Sequence, residues 1–314
     1  MRKITIFVSK LSLRFLLAFG FCHAAQAACG LSLTASNLNL NWDMNWTTQA
    51  ISVTVAKTNP AACTFGLGFT KGSSGSYTRY AANGGAQLNY QLYSDSGKSL
   101  ILKDVPDVAS ANDVIMVTLP PGSNPQIVQY YFDIPYTSAV SPVLVTSGTF
   151  TDNFVINAYE GAVATAFTAP PDVSAPVSVS ITTATIIALS LVDSGGVFQD
   201  LATTKTINFG NISTGQVSRF DLRLRTNSGF SITTTSTNNG RMKHLTANSY
   251  VPYQLYVNNV LADPTGVAPV LTGSGTTAMN GLGYPVKVVI GNLSTLAIAG
   301  SYQDTVTITA TTTQ

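Results

Sequence analysis

A pattern that occurs twice in this chain constrains its fold more than any other feature. Gly148–Ala158 reads GTFTDNFVINA, and Gly300–Ala310 reads GSYQDTVTITA. Each copy begins with glycine, has an aromatic residue two positions on and aspartate two positions later, and then alternates apolar with polar residues. A period of two in β-branched residues is typical of a half-buried β-strand. Each half of the chain is therefore predicted to contain an equivalent strand.

Three further matches, in the same order, indicate that the two halves are copies of one domain. The segment Tyr90–Tyr93 (YQLY) recurs identically as Tyr253–Tyr256. The other two matches pair 40–43 (LNWD) with 207–210 (INFG), and 130–136 with 286–292. Many short alternating segments are separated by turn signals, and none shows convincing helical periodicity. The predicted fold class is therefore all-β, with β-sandwich domains.

The first 27 residues are predicted to be a secretory signal peptide. They contain a basic start, an apolar run over 11–21 and Ala25-Gln-Ala27, which has the form of a cleavage site. The apolar run is too short to span a bilayer and is interrupted by Arg14. Four of the 16 basic residues and none of the 14 acidic ones lie here, so 12 basic and 14 acidic side chains remain. A near-neutral mature chain has no electrostatic reason to bind nucleic acid.

The cysteines predict one disulfide bond. Cys22 would leave with the signal peptide, and Cys29 and Cys63 would remain as a pair in an oxidising compartment. Closing a loop of this length is worth about 3 kcal/mol in the chain-entropy model. A lipid anchor on Cys29 is the alternative, but Gln26 stands where such a signal needs an aliphatic residue.

Residues suited to catalysis are scarce. After the signal peptide, His244 is the single histidine and Glu160 the single glutamate, which excludes most histidine-dependent triads and histidine clusters for zinc. We expect His244 to be a solvated loop residue beside an Asn-Asn-Gly turn. Asp104, Asp107 and Asp113 do not have the spacing of a calcium loop and are predicted to be solvated acids. We therefore expect no enzyme, no metal site and no cofactor.

Apolar side chains in predicted loops form a candidate binding surface, because loops are normally polar. Two stretches over 105–116 and 119–125 are almost free of basic residues, and 44–46 is a third turn with large apolar side chains. The candidate residues are Met44, Trp46, Val105, Pro106, Val108, Ile115, Met116, Pro120 and Pro121. The alternative is that these side chains fold under and pack, and that 114–117 is simply a strand.

Taken together, the motifs resemble the spore coat U domain family, which comprises the pilins of archaic chaperone–usher pili. The resemblance rests on Ala28-Cys-Gly-Leu31, Asn208-Phe-Gly210, the repeated YQLY and the strand at Gly300–Ala310. The two-copy arrangement is similar to the two-domain tip adhesin of such pili. The first copy departs from the family with Trp42-Asp43 in place of aromatic-Gly. Residues 100–130 match no pattern of the family.

The resemblance implies two immunoglobulin-like β-sandwich domains, of which the C-terminal one is incomplete and lacks its last strand. A periplasmic chaperone would fill the resulting groove first, and the N-terminal strand of an adjacent pilus subunit would fill it in the fibre. The acceptor-groove strand would present Tyr302, Val306, Ile308 and Ala310. Because Cys29 lies two residues from the cleavage site, no donor segment is expected, and the chain would cap the fibre.

These expectations divide the chain into four parts. They are a signal peptide (1–27), an N-terminal adhesin domain (28–160), a linker with a possible completing strand (161–184) and a C-terminal pilin domain (185–314). Residues 177–182 alternate again, as VSVSIT, and we hypothesise that they or residues 161–169 complete the first domain in cis. The expected partners are the chaperone, the outer-membrane usher, an adjacent subunit and an abiotic or host surface.

The expected role is attachment and biofilm formation at the pilus tip, after secretion through the periplasm to the cell surface. Two alternatives remain open. The chain could be an ordinary pilin or coat subunit. It could also be a secreted lectin-like module, in which Trp42, Trp46, Tyr77 and Tyr80 stack on sugars.

Overall fold

The structure is a computed structural model that describes residues 29–43, 46–122, 125–135, 144–294 and 297–313. The predicted signal peptide and Met44 lie outside these residues. The described chain is all-β, with three 3₁₀ turns at Gly72–Ser74, Ala111–Asp113 and Ala164–Ala166. None of its helices is both long and apolar enough to cross a membrane.

Ten strands form the first half, residues 29–183. They are β1 (Leu31–Ala35), β2 (Leu38–Trp42), β3 (Gln49–Lys57), β4 (Cys63–Phe69), β5 (Arg79–Asn83), β6 (Ala86–Tyr93), β7 (Ile115–Leu119), β8 (Gln126–Asp133), β9 (Gly148–Glu160) and β10 (Val173–Thr183). The strand order is β1-β3-β8-β6-β5-β9-β10-β2, and β4 pairs with both β7 and β9.

Strand β10 covers an edge that β9 would otherwise leave open. It pairs antiparallel with β9 from Val173 opposite Ala158 to Thr183 opposite Gly148. On its other side it pairs parallel with β2. The inward side chains Val177, Val179 and Ile181 are almost fully buried. The alternating residues after the first copy of the repeat are thus part of the first core.

The disulfide bond predicted for the first half is present. Cys29 and Cys63 are joined, with their Cα atoms 5.9 Å apart, which is an ordinary separation for a disulfide. The bond fixes the beginning of the described chain to the start of β4. The second half has no cysteine.

Ten more strands form the second half, residues 184–313. They are β11 (Ile187–Val192), β12 (Val217–Thr226), β13 (Gly229–Ser236), β14 (Arg241–His244), β15 (Tyr250–Val257), β16 (Val260–Leu261), β17 (Leu271–Gly273), β18 (Leu282–Ile290), β19 (Tyr302–Gln303) and β20 (Val306–Thr313). One sheet has the order β11-β12-β18-β15-β14-β19, with β16 on β15, and the other has the order β17-β13-β20.

The two halves repeat one set of ladders. Strand β13 lies between β17 and β20 as β4 lies between β7 and β9. Strand β20 pairs with β13 over eight residues and with no other strand of the described chain. The edge of β9 that β10 covers therefore has a counterpart on β20 with no described partner.

A tyrosine–aspartate hydrogen bond explains why two of the sequence motifs recur together. The Tyr90 hydroxyl donates to Asp152 at 2.7 Å, and the Tyr253 hydroxyl donates to Asp304 at 2.6 Å. Each tyrosine opens a YQLY segment, and each aspartate is the fifth residue of a glycine-led repeat. The same side-chain bond thus ties equivalent strands in both halves.

Asn227 joins the halves where β10 ends and the second half begins. Its carbonyl oxygen accepts from the Ser147 backbone N–H at 2.9 Å. Its side chain donates to the Ala184 carbonyl at 2.9 Å and accepts from the Ile186 N–H at 2.8 Å. The start of β9 and the end of β10 therefore lie next to the second half, and the end of β9 at Glu160 lies at the opposite end of the first half.

Candidate functional site

A groove follows the edge of β20 that lacks a described partner. Its walls are β20, β11 and residues 203–209, and its space includes two cavities of about 480 and 520 Å³. The residues shared by both cavities are Leu191, Thr203, Thr204, Thr305, Val306 and Ile308. The lining is mostly apolar or threonine, which suits the side chains of a β-strand better than a charged ligand.

The far wall of the groove is the counterpart of β2. In the first half, β2 pairs with β10 from Leu38 opposite Val179 to Trp42 opposite Thr183. The matching segment, 205–209, has no regular secondary structure and belongs to no ladder of the described chain. Strand β20 and residues 205–209 thus correspond to β9 and β2, the two strands that hold β10 in the first half.

The predicted groove residues divide between two strands. Val306, Ile308 and Ala310 lie on β20 and are half-buried. Tyr302 lies on β19 instead, where it pairs with His244 of β14 and donates its hydroxyl to the Ile298 carbonyl at 2.7 Å. It still lines the cavity of about 480 Å³.

Tyr253 lines the same cavity, and its hydroxyl bonds Asp304, which also lines the cavity. Burial raises the pKa of Tyr253 well above its ordinary value, and the hydrogen bond to Asp304 raises the pKa further. The hydroxyl therefore stays protonated and donates to Asp304 across the whole physiological range. This bond holds β15 against the residues that lead into β20.

A second feature lies at the end of the first half away from the contacts of Asn227 with Ser147 and Ala184, where three loops meet. The distal loops are residues 58–62, 120–122 and 161–171. The Gly122 N–H donates to the Pro60 carbonyl at 3.1 Å, and the Gly161 N–H donates to the Thr64 carbonyl at 2.9 Å. These bonds place the three loops side by side at the start of β4 and the end of β9.

The distal loops contain no charged residue. Val163 is 59% exposed, and nearby Ile127 at the start of β8 is 65% exposed. The exposed apolar residues of the loops include Pro60, Ala61, Ala62, Pro120, Pro121, Ala162, Ala166, Ala169 and Pro170. An uncharged loop cluster of this composition is the kind of surface that binds apolar partners.

Phe167 anchors the third distal loop. Its ring stacks on Tyr159 with centroids 5.6 Å apart. A Cβ atom on Gly66 would lie 2.4 Å from the Phe167 ring, so only glycine leaves room for this packing. The loop is therefore attached to the sandwich by a buried contact while Val163 stays exposed.

The predicted surface residues do not form one surface. Pro120 and Pro121 lie in the distal loops and are exposed. Val105, Pro106 and Val108 follow Asp104 beside Gly68, near the other end of β4, roughly 20 Å away along the strand. Pro106 is exposed, and the two valines are half-buried.

Three further predictions about this surface need correction. Ile115 and Met116 lie in β7, paired with β4, and not in a loop. Trp46 is half-buried and packs against the core of the first half, with its ring 6.4 Å from Phe132. Sequence reasoning missed residues 58–62 and 161–171, although their lack of charge between strands was a usable signal.

The polar residues predicted to be solvated are mostly buried. His244 is 8% exposed, and its Nδ1 accepts from the Ala247 N–H at 3.0 Å. Asp104 is buried and accepts from Asn157 at 2.7 Å and from Tyr159 at 2.8 Å. Asp113 is buried as well and caps a 3₁₀ turn.

Asp107 is the exception, since it is exposed and pairs with Lys71 at 2.7 Å. Trp42 is fully buried, so it cannot stack on a sugar as the lectin alternative requires. Among the described residues, no group of three or more His, Cys, Asp or Glu could hold a metal ion.

The sequence model of the Spore Coat Protein U domain matches residues 17–157 and 176–309. This chain belongs to the spore coat protein U domain family. The family model thus matches twice, once before β10 and once from within β10 to near the end of β20. Among curated protein sequences none matches the chain.

Several solved pilus proteins are similar in structure. The CsuC–CsuE chaperone–tip adhesion subunit pre-assembly complex of the archaic chaperone–usher Csu pili of Acinetobacter baumannii is 15% identical, with 89% of this chain and 99% of that chain covered and a TM-score of 0.42. A chaperone–tip adhesin complex of CFA/I fimbriae biogenesis is 11% identical, with 89% and 96% covered and a TM-score of 0.33. The CooA pilin subunit of enterotoxigenic Escherichia coli is 10% identical, with 49% and 99% covered and a TM-score of 0.30.

Proposed function

We propose that this chain is the tip adhesin of an archaic chaperone–usher pilus. The second half accepts a β-strand from an adjacent subunit, after a periplasmic chaperone has held the same groove and the outer-membrane usher has catalysed assembly. The first half binds an abiotic or host surface and so supports attachment and biofilm formation. The observation that carries the proposal is the contrast between β9, which β10 covers, and β20, whose equivalent edge has no described partner.

The strand-accepting role is supported by the walls of the groove. An extended peptide that adds to a sheet edge gains main-chain hydrogen bonds, and its alternate side chains enter pockets. The edge of β20 offers these bonds, and the cavities beside Val306 and Ile308 offer the pockets. An apolar sheet edge left uncovered invites aggregation, so a chaperone is the expected first occupant.

The surface-binding role is supported by the distal loops. They lie at the end of the first half that is away from its contacts with Asn227, where a surface can reach them without meeting the second half. They are uncharged and present Val163, Pro120 and Pro121 to solvent. Burying such groups against an apolar material needs no specific polar partner.

A copy of residues 161–183 appended after Gln314 tests the strand-accepting role in the full chain. In the first half this segment leads from the end of β9 back along it as β10. We expect the extended chain to remain monomeric without a chaperone and its β20 amides to gain protection from hydrogen exchange. The control extension carries asparagine at its copies of Val177, Val179 and Ile181 and should give no protection. Equal exchange from β20 in both extended chains would contradict the proposal.

Charges in the distal loops test the surface-binding role. Ala61→Asp, Pro121→Asp and Val163→Asp, made separately in the extended chain, should each lower the amount that coats bare polystyrene, because a carboxylate must be desolvated against plastic. The control is Leu201→Asp, since Leu201 is 94% exposed and lies in the second half. Unchanged coating by all three loop variants would disprove this half of the proposal, and a glycan array would then be the next measurement.

A further inference from the structure

Three aromatic rings pack together in the core of the first half, and one of them belongs to β9 itself. Phe69 lies 4.9 Å from Tyr130 and 6.3 Å from Phe154, and Tyr130 lies 6.4 Å from Phe154, all between ring centroids. All three residues are almost fully buried. Val177 of β10 is the direct cross-strand partner of Phe154, so a valine is enough to close the core at this level.

The ladders identify the counterparts of two of these rings. Val306 takes the place of Phe154, because both lie six residues after the glycine that opens the repeat. Ile308 pairs with Thr234 as Ile156 pairs with Phe69, so Thr234 takes the place of Phe69. Two rings are thus replaced by threonine and valine.

The third counterpart follows from β6 and β15. Leu92 pairs with Phe132 in the first half, and its counterpart Leu255 pairs with Val288 in the second. Phe132 and Val288 are thus counterparts on β8 and β18. Two residues earlier on these two strands, Tyr130 corresponds to Val286. The three aromatic residues of the first core therefore correspond to two valines and a threonine in the second half.

The missing bulk appears as open space around one residue. Val306 lines three cavities, of about 480, 520 and 180 Å³. Phe220, the partner of Val286, takes the place of Ile51, the partner of Tyr130. The Phe220 ring therefore restores part of the lost aromatic volume. It lines the first cavity without closing it. The space beside Val306 therefore has to be filled from outside the second half.

We infer that the strand occupying the groove carries a large apolar side chain, aromatic or of similar size, at the position that faces Val306. This inference rests on the proposed function and adds the size preference of the groove. In the first half the large residue, Phe154, belongs to the acceptor and the small one, Val177, to the completing strand. In the second half the acceptor is small, so the incoming residue must be large.

The test uses the full chain with the appended copy of residues 161–183. One version keeps valine at the copy of Val177, and a second has phenylalanine there. The phenylalanine version should protect the β20 amides from hydrogen exchange on the order of tenfold more than the valine version, because more apolar area is buried. If both versions protect β20 equally, the size preference is wrong while the strand-accepting role stands. If neither version protects β20, the strand-accepting role itself is wrong.

Two matched variants separate the pocket from a general effect of phenylalanine. Val177→Phe in β10 itself should lower the stability of the first half, because Phe154 already fills the space and overpacking is destabilising. Val306→Phe in the extended chain should reverse the preference, so that the valine version protects β20 better. A phenylalanine preference that survives Val306→Phe would overturn the assignment of Val306 as the residue that sets the size.

Discussion

The two copies of the repeat show that an alternating pattern creates a strand but does not decide how deeply it is buried. In β9 the inward residues Phe150, Phe154 and Ile156 are at most 1% exposed, because β4 and β10 lie on either side. In β20 the matching residues Val306 and Ile308 are half-buried, since only β13 pairs with that strand in the described chain. Burial of a strand face therefore depends on its neighbours as much as on its own sequence.

The largest expected effect comes from placing an aspartate on the apolar face of each copy of the repeat. Ile156→Asp should destabilise the first half by about 4 kcal/mol or more, because an unpaired carboxylate would be buried in its core. Ile308→Asp should cost the second half about 1–2 kcal/mol, since its side chain still reaches the groove and solvent.

The tryptophans make this comparison measurable. Both tryptophans of the chain, Trp42 and Trp46, lie in the first half, so urea unfolding followed by tryptophan emission reports that half alone. Amide exchange of β20 reports the other. Equal losses of stability from Ile156→Asp and Ile308→Asp would mean that the groove excludes water as completely as the core of the first half.

Removal of the disulfide is expected to have the next largest effect. Cys29 and Cys63 are 34 residues apart, and replacing both with alanine should lower the free energy of unfolding of the first half by about 3 kcal/mol. The second half has no cysteine, so the exchange rates of β20 should not change. A parallel loss in both halves would show that they unfold as one cooperative unit.

Strand positions and the duplication were predictable because period-two alternation depends on local sequence alone. The pairing of Cys29 with Cys63 was predictable for a different reason, since only two cysteines follow residue 27. The family, too, followed from the motifs, and its sequence model matches both halves.

Burial of polar side chains was not predictable in the same way. Asp104 is buried because Asn157 and Tyr159, more than 50 residues away in sequence, donate to it. His244 is buried under the loop before Tyr302, and the two rings meet edge to face at 5.0 Å. The distal loops are adjacent only because β4, β7 and β9 are neighbours. Each of these facts depends on long-range pairing, which a single sequence does not display.

High pH should distinguish the halves by a smaller margin. Burial raises the pKa of Tyr90 and of Tyr130 well above 10, and both rings are almost fully buried. The unfolded tyrosines ionise near pH 10 while the folded ones keep their protons. The unfolded state therefore binds fewer protons above pH 10, and stability falls as the pH rises, by up to about 1.4 kcal/mol per pH unit for each ring.

The urea midpoint of tryptophan emission between pH 10 and 11.5 measures this slope for the first half. Tyr130→Phe is the matched variant and should remove the contribution of one ring. The second half should lose stability less steeply, because among the described residues it has two tyrosines with raised pKa values, Tyr253 and Tyr284, where the first half has five. A slope that Tyr130→Phe leaves unchanged would contradict the assignment to buried tyrosines.

The smallest expected difference concerns the repeated tyrosine–aspartate bond. Tyr90→Phe should cost about 2 kcal/mol, because Asp152 is buried and among the described residues keeps a single donor, the Ser73 N–H at 3.0 Å. Tyr253→Phe should cost about 1 kcal/mol, since Asp304 is half-buried and keeps donors from Ser236, Asn238 and Thr305.

Tyr256→Phe provides the baseline for these two variants, because its hydroxyl bonds Gln254 in an exposed position and its loss should cost almost nothing. Urea midpoints and β20 exchange rates measure all three. A loss at Tyr253 as large as that at Tyr90 would mean that water is excluded from Asp304 as it is from Asp152. The groove beside β20 would then be closed in the free chain, and an incoming strand would have to open it before binding.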